Sequence, residues 1–253
     1  MVGLSRSRFF EQFRNCVGTS PQHYLDSTRI SIATRLLSTT QRPLIELADE
    51  LGMLLIGPNG QGVIALLLLN ILGPMGLDKL DPLSAERLHL CIEASRLAYA
   101  ERDAVVSDPD QVDVPVDRLL SAEFAAELRD KIIPTQAMDA PTPAVLPAAS
   151  TVYLCVVDKD RNAVSFINSL FEAFGSGLVG PESGVLLQNR GFSFNLDPGH
   201  ANCIAANKRP MNTIIPGMVV KDAKTVMPFG VMGGQYQAFG HMYFLTNLFE
   251  HGL

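Results

Sequence analysis

A nine-residue stretch beyond the middle of the chain reads Ser150-Thr151-Val152-Tyr153-Leu154-Cys155-Val156-Val157-Asp158. A polar turn at residues 159–162 joins it to a second apolar run at 163–167, and this pattern predicts a β-hairpin. The Pro-, Ala- and Thr-rich residues 134–150 precede it and predict an exposed linker. A threonine at a junction of linker and strand is the arrangement expected of a nucleophile that self-cleavage releases as a new amino terminus. The alternative is that Thr151 is an ordinary strand-forming residue.

Apolar runs on either side of this hairpin predict the remaining elements. Upstream, we expect an apolar helix at residues 63–72, a long amphipathic helix from about 84 to 105, and a helix capped by Ser121. Downstream, the pair Gly233-Gly234 leads into a final helix, and strands are expected at residues 185–188, 213–220 and 226–231. Helices, then strands, then a helix indicate an α+β fold of packed layers.

The long amphipathic helix also predicts which of its side chains face the core. Helical spacing places Cys91 and Ile92 inward and places Arg87 and Arg102 outward. We therefore expect both arginines to be solvated.

Composition and charge limit the class of protein. With 253 residues, 47% of them hydrophobic and 18% charged, the chain can bury a sizeable core. The net charge of −6 argues against a protein that binds nucleic acid along its whole length. Residues 1–53 differ from the rest, because they carry six arginines against five acidic residues.

The cysteines and the amino terminus predict the compartment. Cys16, Cys91, Cys155 and Cys203 lie far apart without a CxxC pair, which indicates reduced thiols. The histidines lack metal-ligand spacing, so the sequence predicts no metal site and no cofactor. The amino terminus lacks the apolar segment of a signal peptide, and the run at residues 63–72 is too short to span a bilayer. We expect a cytoplasmic protein with no membrane partner.

Residues 1–53 predict three helices. Their motifs, Gly-Leu-Ser-x-x-x-Phe, Gly-x-Ser-Pro-x-x-Tyr-Leu and Pro-Leu-x-Glu-Leu-Ala-x-Glu-Leu-Gly, resemble the middle of the DNA-binding domain of AraC/XylS-type regulators. The resemblance implies a partial helix-turn-helix segment that contacts DNA through Ser5, Arg6 and Arg8. The alternative is that these side chains form a solvated helix start.

Residues 54–253 contain a second set of motifs, in the order in which the γ-glutamyltranspeptidase family has them. They are Pro58-Asn59-Gly60-Gln61-Gly62, Leu83-Ser84-Ala85-Glu86-Arg87, Phe174-Gly175-Ser176-Gly177, Asn189-Arg190-Gly191, Asp197-Pro198-Gly199-His200, Lys208-Arg209-Pro210 and Phe229-Gly230-Val231-Met232-Gly233-Gly234. The chain resembles this family of N-terminal nucleophile hydrolases, which implies part of an αββα sandwich and a precursor that cuts itself into a large and a small subunit. We therefore divide the chain into the AraC-like residues 1–53, the C-terminal part of the large subunit with its linker at 54–150, and most of the small subunit at 151–253.

The same resemblance implies the roles of particular residues. Thr151 corresponds to the nucleophile, so the bond between Ser150 and Thr151 would be cut. Ser169 corresponds to a hydroxyl that supports the nucleophile. The backbone N–H groups of Gly233 and Gly234 correspond to the oxyanion hole. Four residues correspond to the loops that contact substrate, namely Asn189, Arg190, Asn212 and Thr213.

Two positions depart from the pattern of glutathione-cleaving members. Phe171 stands in place of an asparagine, and Ser193 stands in place of an aspartate that holds the α-amino group of the substrate. The acyl group is therefore open, with γ-glutamyl compounds such as glutathione and other small amides as candidates.

The large subunit is represented by its last part alone, so unpaired strands would favour self-association. Three functions stay open at this point. They are a self-processing amide hydrolase or acyltransferase that passes the acyl group to water or amines, a DNA-binding regulator fragment, and an inactive chimera.

Overall fold

The structure is a computed structural model that describes residues 53–55, 59–139, 149–221 and 224–252. The predicted AraC-like segment lies outside these residues except for its last position, and so do positions 140–148 of the predicted linker.

An apolar helix lies at the centre of the described structure. This helix, α1 (Gly62–Leu72), contains no charged residue and buries nine of its eleven residues, as expected for a helix that is hydrophobic all round. It packs against α2 (Ala85–Val105), α4 (Ala122–Arg129) and α5 (Gln237–His251). A short helix, α3 (Val116–Leu119), precedes α4. No helix in the described ranges is long and apolar enough to cross a membrane.

Serine caps begin two of these helices. The Ser84 hydroxyl accepts a hydrogen bond from the backbone N–H of Arg87, and the Ser121 hydroxyl accepts one from Phe124, both at 3.2 Å. Each cap satisfies an N–H group that has no partner within its helix. The predicted starts of α2 and α4 are confirmed.

In the described residues, five strands form two antiparallel sheets. In the first, β4 (Gly217–Lys221) lies between β1 (Met53–Leu55) and β5 (Lys224–Phe229). The second is the predicted hairpin, β2 (Ala149–Val157) paired with β3 (Ala163–Glu172).

The hairpin lies beside β5. The Ser165 hydroxyl on β3 lies 3.2 Å from the carbonyl oxygen of Phe229, to which it donates a hydrogen bond. Gly230 follows Phe229, and a Cβ atom there would lie 2.3 Å from the ring of Tyr153 on β2. Glycine is therefore required for this approach of the two sheets.

The two faces of this assembly differ. In the first sheet, Val219 of β4 and Phe229 of β5 join the core formed by α1 and α5. On the other face of the hairpin, five apolar side chains are between 45% and 62% exposed, namely Val152, Leu154, Val156, Val164 and Phe166. This hairpin face is largely open to solvent within the described part of the chain.

The structure corrects two strand predictions. Residues 185–188 form no strand, and Leu186 makes a single isolated bridge with Val179. The strand expected at 213–220 begins at Gly217. Its first residues are held by side chains instead, since the N–H of Ile215 donates to the Gln237 carboxamide at 3.0 Å and the carbonyl of Thr213 accepts from Gln61 at 2.8 Å.

The predicted orientation of α2 is also partly wrong. Arg87 and Arg102 are 0% and 7% exposed, whereas Ile92 is 51% exposed. The guanidinium of Arg87 donates to Thr246 at 3.0 Å and to Asn247 at 2.7 Å on α5. Polar partners on distant elements make burial of these charges tolerable.

Candidate active site

Thr151 lies near the start of β2, directly opposite Ser169 on β3. Its hydroxyl oxygen is buried and has no hydrogen-bond partner among the residues that the structure describes. Most buried polar atoms have a partner, so an unpaired one is a sign of special function or stored strain. The hydroxyl is thus not tied to another group in this structure.

A β-bulge lies beside the predicted cleavage point. The register shifts between Ala149 and Thr151, so Leu170 and Phe171 of β3 together oppose the single residue Ser150. Phe171 has a φ of +81°, which is rare for a residue with a bulky side chain. The backbone is therefore irregular opposite the bond that joins Ser150 to Thr151.

Ser169 holds the bulge in place. Its hydroxyl accepts a hydrogen bond from the N–H of Phe171 at 3.0 Å. Its carbonyl accepts one from the Arg190 guanidinium at 3.1 Å. The predicted supporting hydroxyl thus lies opposite the threonine and is bound to the backbone at the bulge.

Arg190 connects β3 to the loop that precedes β4. Besides the carbonyl of Ser169, its guanidinium donates to the Asn212 side-chain oxygen at 2.9 Å. It also lies 5.8 Å from the centroid of the Phe171 ring. Burial lowers the pKa of Arg190 from its ordinary value, because a charged group loses hydration there. The side chain is a bridge between two predicted site residues.

The other predicted substrate residues differ in placement. Thr213 is buried at 1% exposure, next to Asn212. Asn189 lies at the end of β3, where its side-chain oxygen accepts a hydrogen bond from the N–H of Glu172 at 3.1 Å. The structure therefore groups Asn212 and Thr213 with Arg190, while Asn189, the chain neighbour of Arg190, is bound to the backbone of β3.

The glycine pair forms the turn that enters α5. Gly233 and Gly234 have φ values of +124° and +57°, conformations that favour glycine. The short helical turn Gly234–Tyr236 follows and lies against β2. Backbone N–H groups at the start of a helix are suited to binding an anion. The predicted oxyanion residues are thus at a helix entrance beside the strand that carries Thr151.

Two further residues enter the site that the sequence did not single out. The Gln61 carboxamide donates to the carbonyls of Thr213 and Gly234, both at 2.8 Å. Arg102 donates to the Gln61 side-chain oxygen at 2.9 Å and to the Gln235 side chain. Gln61 belongs to a motif that identifies the family, but no pattern in the sequence connects it to the glycine pair.

Arg102 also lines a polar cavity of about 170 Å³. Ser193 lines it, and its hydroxyl lies 2.9 Å from each of two carbonyl oxygens, those of Arg190 and Met211. The remaining lining residues are Asp103, Val106, Phe194, Asn195, His200, Asn202 and Met211. The hydroxyl of Ser193 is neutral and already engaged with backbone, unlike a carboxylate that binds an amino group.

The predicted DNA-contacting residues Ser5, Arg6 and Arg8 lie outside the described residues. The structure thus brings together Thr151 and Ser169. It links Ser169 through Arg190 to the predicted substrate loop (Asn212 and Thr213), and it links that loop through Gln61 to the glycine turn.

These features belong to a known class. Residues 37–253 match the family model of gamma-glutamyltranspeptidase, and the chain therefore belongs to the gamma-glutamyltranspeptidase family. The match begins inside the predicted AraC-like segment, and the boundary at residue 54 stays a prediction. The helices and sheets confirm the mixed α and β class.

Particular relatives can be named. The chain is 37% identical to the glutathione hydrolase-like YwrD proenzyme of Bacillus subtilis over 78% of its own length and 37% of that protein. It is 37% identical to the oxamate amidohydrolase proenzyme of Klebsiella pneumoniae over 72% of its length and 34% of that protein. The crystal structure of cephalosporin acylase from Bacillus halodurans is similar with a TM-score of 0.70 and 42% identity, over 79% of this chain and 36% of that one. The chain thus spans just over a third of these relatives.

These comparisons lend no support to an AraC-like segment, to DNA contact or to self-association.

Proposed function

We propose that the chain is the catalytic part of a self-processing amide hydrolase or acyltransferase in which Thr151 is the nucleophile. The observation that carries the proposal is the buried, unpaired hydroxyl of Thr151, at a β-bulge and beside the glycine turn. Membership of the family and the similarity to relatives called proenzymes support it. The hairpin has an exposed apolar face, and this face supports the packing of a further sheet against it, as in an αββα sandwich.

Self-cleavage follows from the position of the hydroxyl. Thr151 Oγ1 attacks the carbonyl carbon of Ser150, the C–N bond breaks, and an ester to Thr151 forms while the nitrogen takes up the proton. Water then hydrolyses the ester, which leaves a carboxyl group on Ser150 and frees the hydroxyl of Thr151, whose α-amine the first step has already released. The amine supplies the base that a threonine hydroxyl needs at neutral pH.

Turnover would use the same groups. The hydroxyl attacks the amide carbonyl of a substrate, and the N–H groups of Gly233 and Gly234 stabilise the negative charge on its oxygen. The amine part of the substrate leaves with a proton. Water or another amine then removes the acyl group from Thr151.

Contacts across the cleavage point would keep the two fragments together. Asp108 and Arg209 form an ion pair of 2.5 Å in which the carboxylate is 2% exposed. The Tyr99 hydroxyl donates to the carbonyl of Gln235 at 2.6 Å. A processed protein would therefore remain one folded unit.

The substrate class follows from the departures around the site. The Ser193 hydroxyl is neutral and lies against two carbonyls, so it provides no charge for an α-amino group. Phe171 places a buried apolar ring at the bulge, where glutathione-cleaving members carry an asparagine. We therefore propose small acyl amides related to, but less polar than, γ-glutamyl compounds.

Intact mass over time tests the proposal. The wild-type chain should give fragments of 150 and 103 residues. Thr151→Ala should stay whole, and Thr151→Ser should still be cut because it keeps a hydroxyl. Thr225→Ala changes a threonine of β5 and should be cut like the wild type. A wild-type chain that folds and stays whole would contradict the proposal.

A further inference from the structure

Gln61 is a fully buried side chain whose hydrogen-bonding groups are satisfied on three sides. It is 0% exposed and directly precedes α1. Its two amide hydrogens go to the carbonyls of Thr213 and Gly234, both at 2.8 Å. Its oxygen accepts from Arg102 at 2.9 Å. We propose that Gln61 is a positioning residue that fixes the glycine turn and the substrate loop relative to each other, an inference that rests on the proposed function.

The orientation of the carboxamide follows from its partners. Arginine can only donate hydrogen bonds, and a backbone carbonyl can only accept them. The oxygen of Gln61 must therefore face Arg102, and the nitrogen must face the two carbonyls. An ion pair of 2.6 Å with Asp103 and a cation–π contact of 4.5 Å with Tyr99 hold Arg102 in turn.

The glycine turn needs such an external constraint. Two consecutive glycines with positive φ have little conformational preference of their own. The carbonyl of Gly234 accepts from Gln61 and from the N–H of Gln237. The peptide plane after Gly234 is therefore held from two sides, which restricts the rotation of Gly234, whose own N–H is proposed to bind the oxyanion. An N–H group stabilises a developing charge well when its direction is set in advance.

The same side chain holds the substrate loop. The side-chain amide of Gln61 donates to the carbonyl of Thr213. The backbone N–H of Gln61 donates to the carbonyl of Asn212, the residue before Thr213, at 3.0 Å. Asn212 in turn binds Arg190, which binds the carbonyl of Ser169 opposite Thr151. A single carboxamide thus connects the groups proposed to bind the oxyanion with those proposed to bind the substrate.

The test replaces Gln61 and follows the turn and the reaction separately. Gln61→Met keeps the length without hydrogen bonds, and Gln61→Asn keeps the amide but cannot reach both carbonyls. The control is Gln111→Met, because Gln111 donates one hydrogen bond of 3.1 Å to the carbonyl of Ala206 at an exposed position. Amide hydrogen exchange is measured at Tyr236 and Gln237, whose N–H groups bind the carbonyls of Gly233 and Gly234.

We expect both Gln61 variants to raise exchange at these amides by about tenfold or more, while Gln111→Met leaves it unchanged. We also expect kcat per titrated Thr151 site to fall by about 100-fold, the scale of losing one oxyanion donor. A purely structural role would instead lower the number of titratable sites and leave kcat per site unchanged.

Each outcome separates the inference from the proposed function. Unchanged exchange in a folded Gln61 variant overturns the inference whether or not the chain is active. Raised exchange with kcat per site within about threefold of wild type also overturns it, since the turn would then move without consequence. A third outcome is that exchange rises in the Gln61 variants while the wild-type chain neither cuts itself nor turns over. This outcome would overturn the proposed function and support the conclusion that Gln61 fixes the glycine turn.

Discussion

The bulge opposite Ser150 makes a measurable prediction about Phe171. The residue has a φ of +81° and is 7% exposed. Phe171→Ala and Phe171→Gly remove the same ring and the same contact with Arg190. The difference between the two variants therefore isolates the backbone.

The magnitude follows from two opposing effects. A Cβ atom at a left-handed position costs about 1–2 kcal/mol. Glycine in place of alanine lowers the free energy of unfolding by about 0.4–1 kcal/mol, because the unfolded chain gains conformational entropy. At Phe171 the glycine variant should therefore be more stable than the alanine variant by about 0.5–1 kcal/mol.

Phe166 provides the matched control on the same strand. It is 48% exposed and its φ is not positive, so glycine should be less stable than alanine there by about 0.5–1 kcal/mol. Urea unfolding, measured in a Thr151→Ala background so that every chain is intact, gives all four values. If alanine were as stable as glycine at Phe171, the positive φ and the bulge would be refuted.

Two other side chains make predictions about stability. Burial raises the pKa of Glu250 from 4.5 to about 7, with Arg87 opposing the shift. The folded state thus holds the proton more tightly than the unfolded state. The free energy of unfolding should therefore fall as pH rises from 4.5 through about 7, by at most ~1.4 kcal/mol per pH unit. In thermal melts, Glu250→Gln should flatten this pH profile. Asp108→Ala should lower the free energy of unfolding by about 2–3 kcal/mol because it leaves Arg209 without its buried partner. Asp110→Ala removes a 78% exposed carboxylate from the same guanidinium and should cost less than ~1 kcal/mol in the same urea titration; equal losses would contradict the geometry.

The elements that local patterns specify could be predicted from the sequence. The hairpin, the apolar helix α1 and the caps at Ser84 and Ser121 depend on neighbours within a few residues, and the structure confirms them. The family resemblance implied that Ser169 supports Thr151, and the register of the hairpin places the two residues opposite each other.

Features that depend on distant partners could not be predicted in this way. Arg102 looks like a solvated residue by its helical spacing, yet it is buried because Gln61 and Gln235 accept from it across the fold. The bulge at Phe171 could not be predicted for a similar reason, since it depends on how β3 pairs with β2 across the hairpin. Membership of the family supplied the site residues, and contacts between distant segments supplied their connections.

The site of acylation tests the role of Thr151 as the nucleophile. After processing, the chain would be mixed with a γ-glutamyl anilide or a simple acyl anilide, quenched in acid, and mapped by peptide mass. We expect the acyl mass on Thr151, at the amino terminus of the 103-residue fragment. An acyl group on any other residue, or a fragment that begins elsewhere, would contradict it.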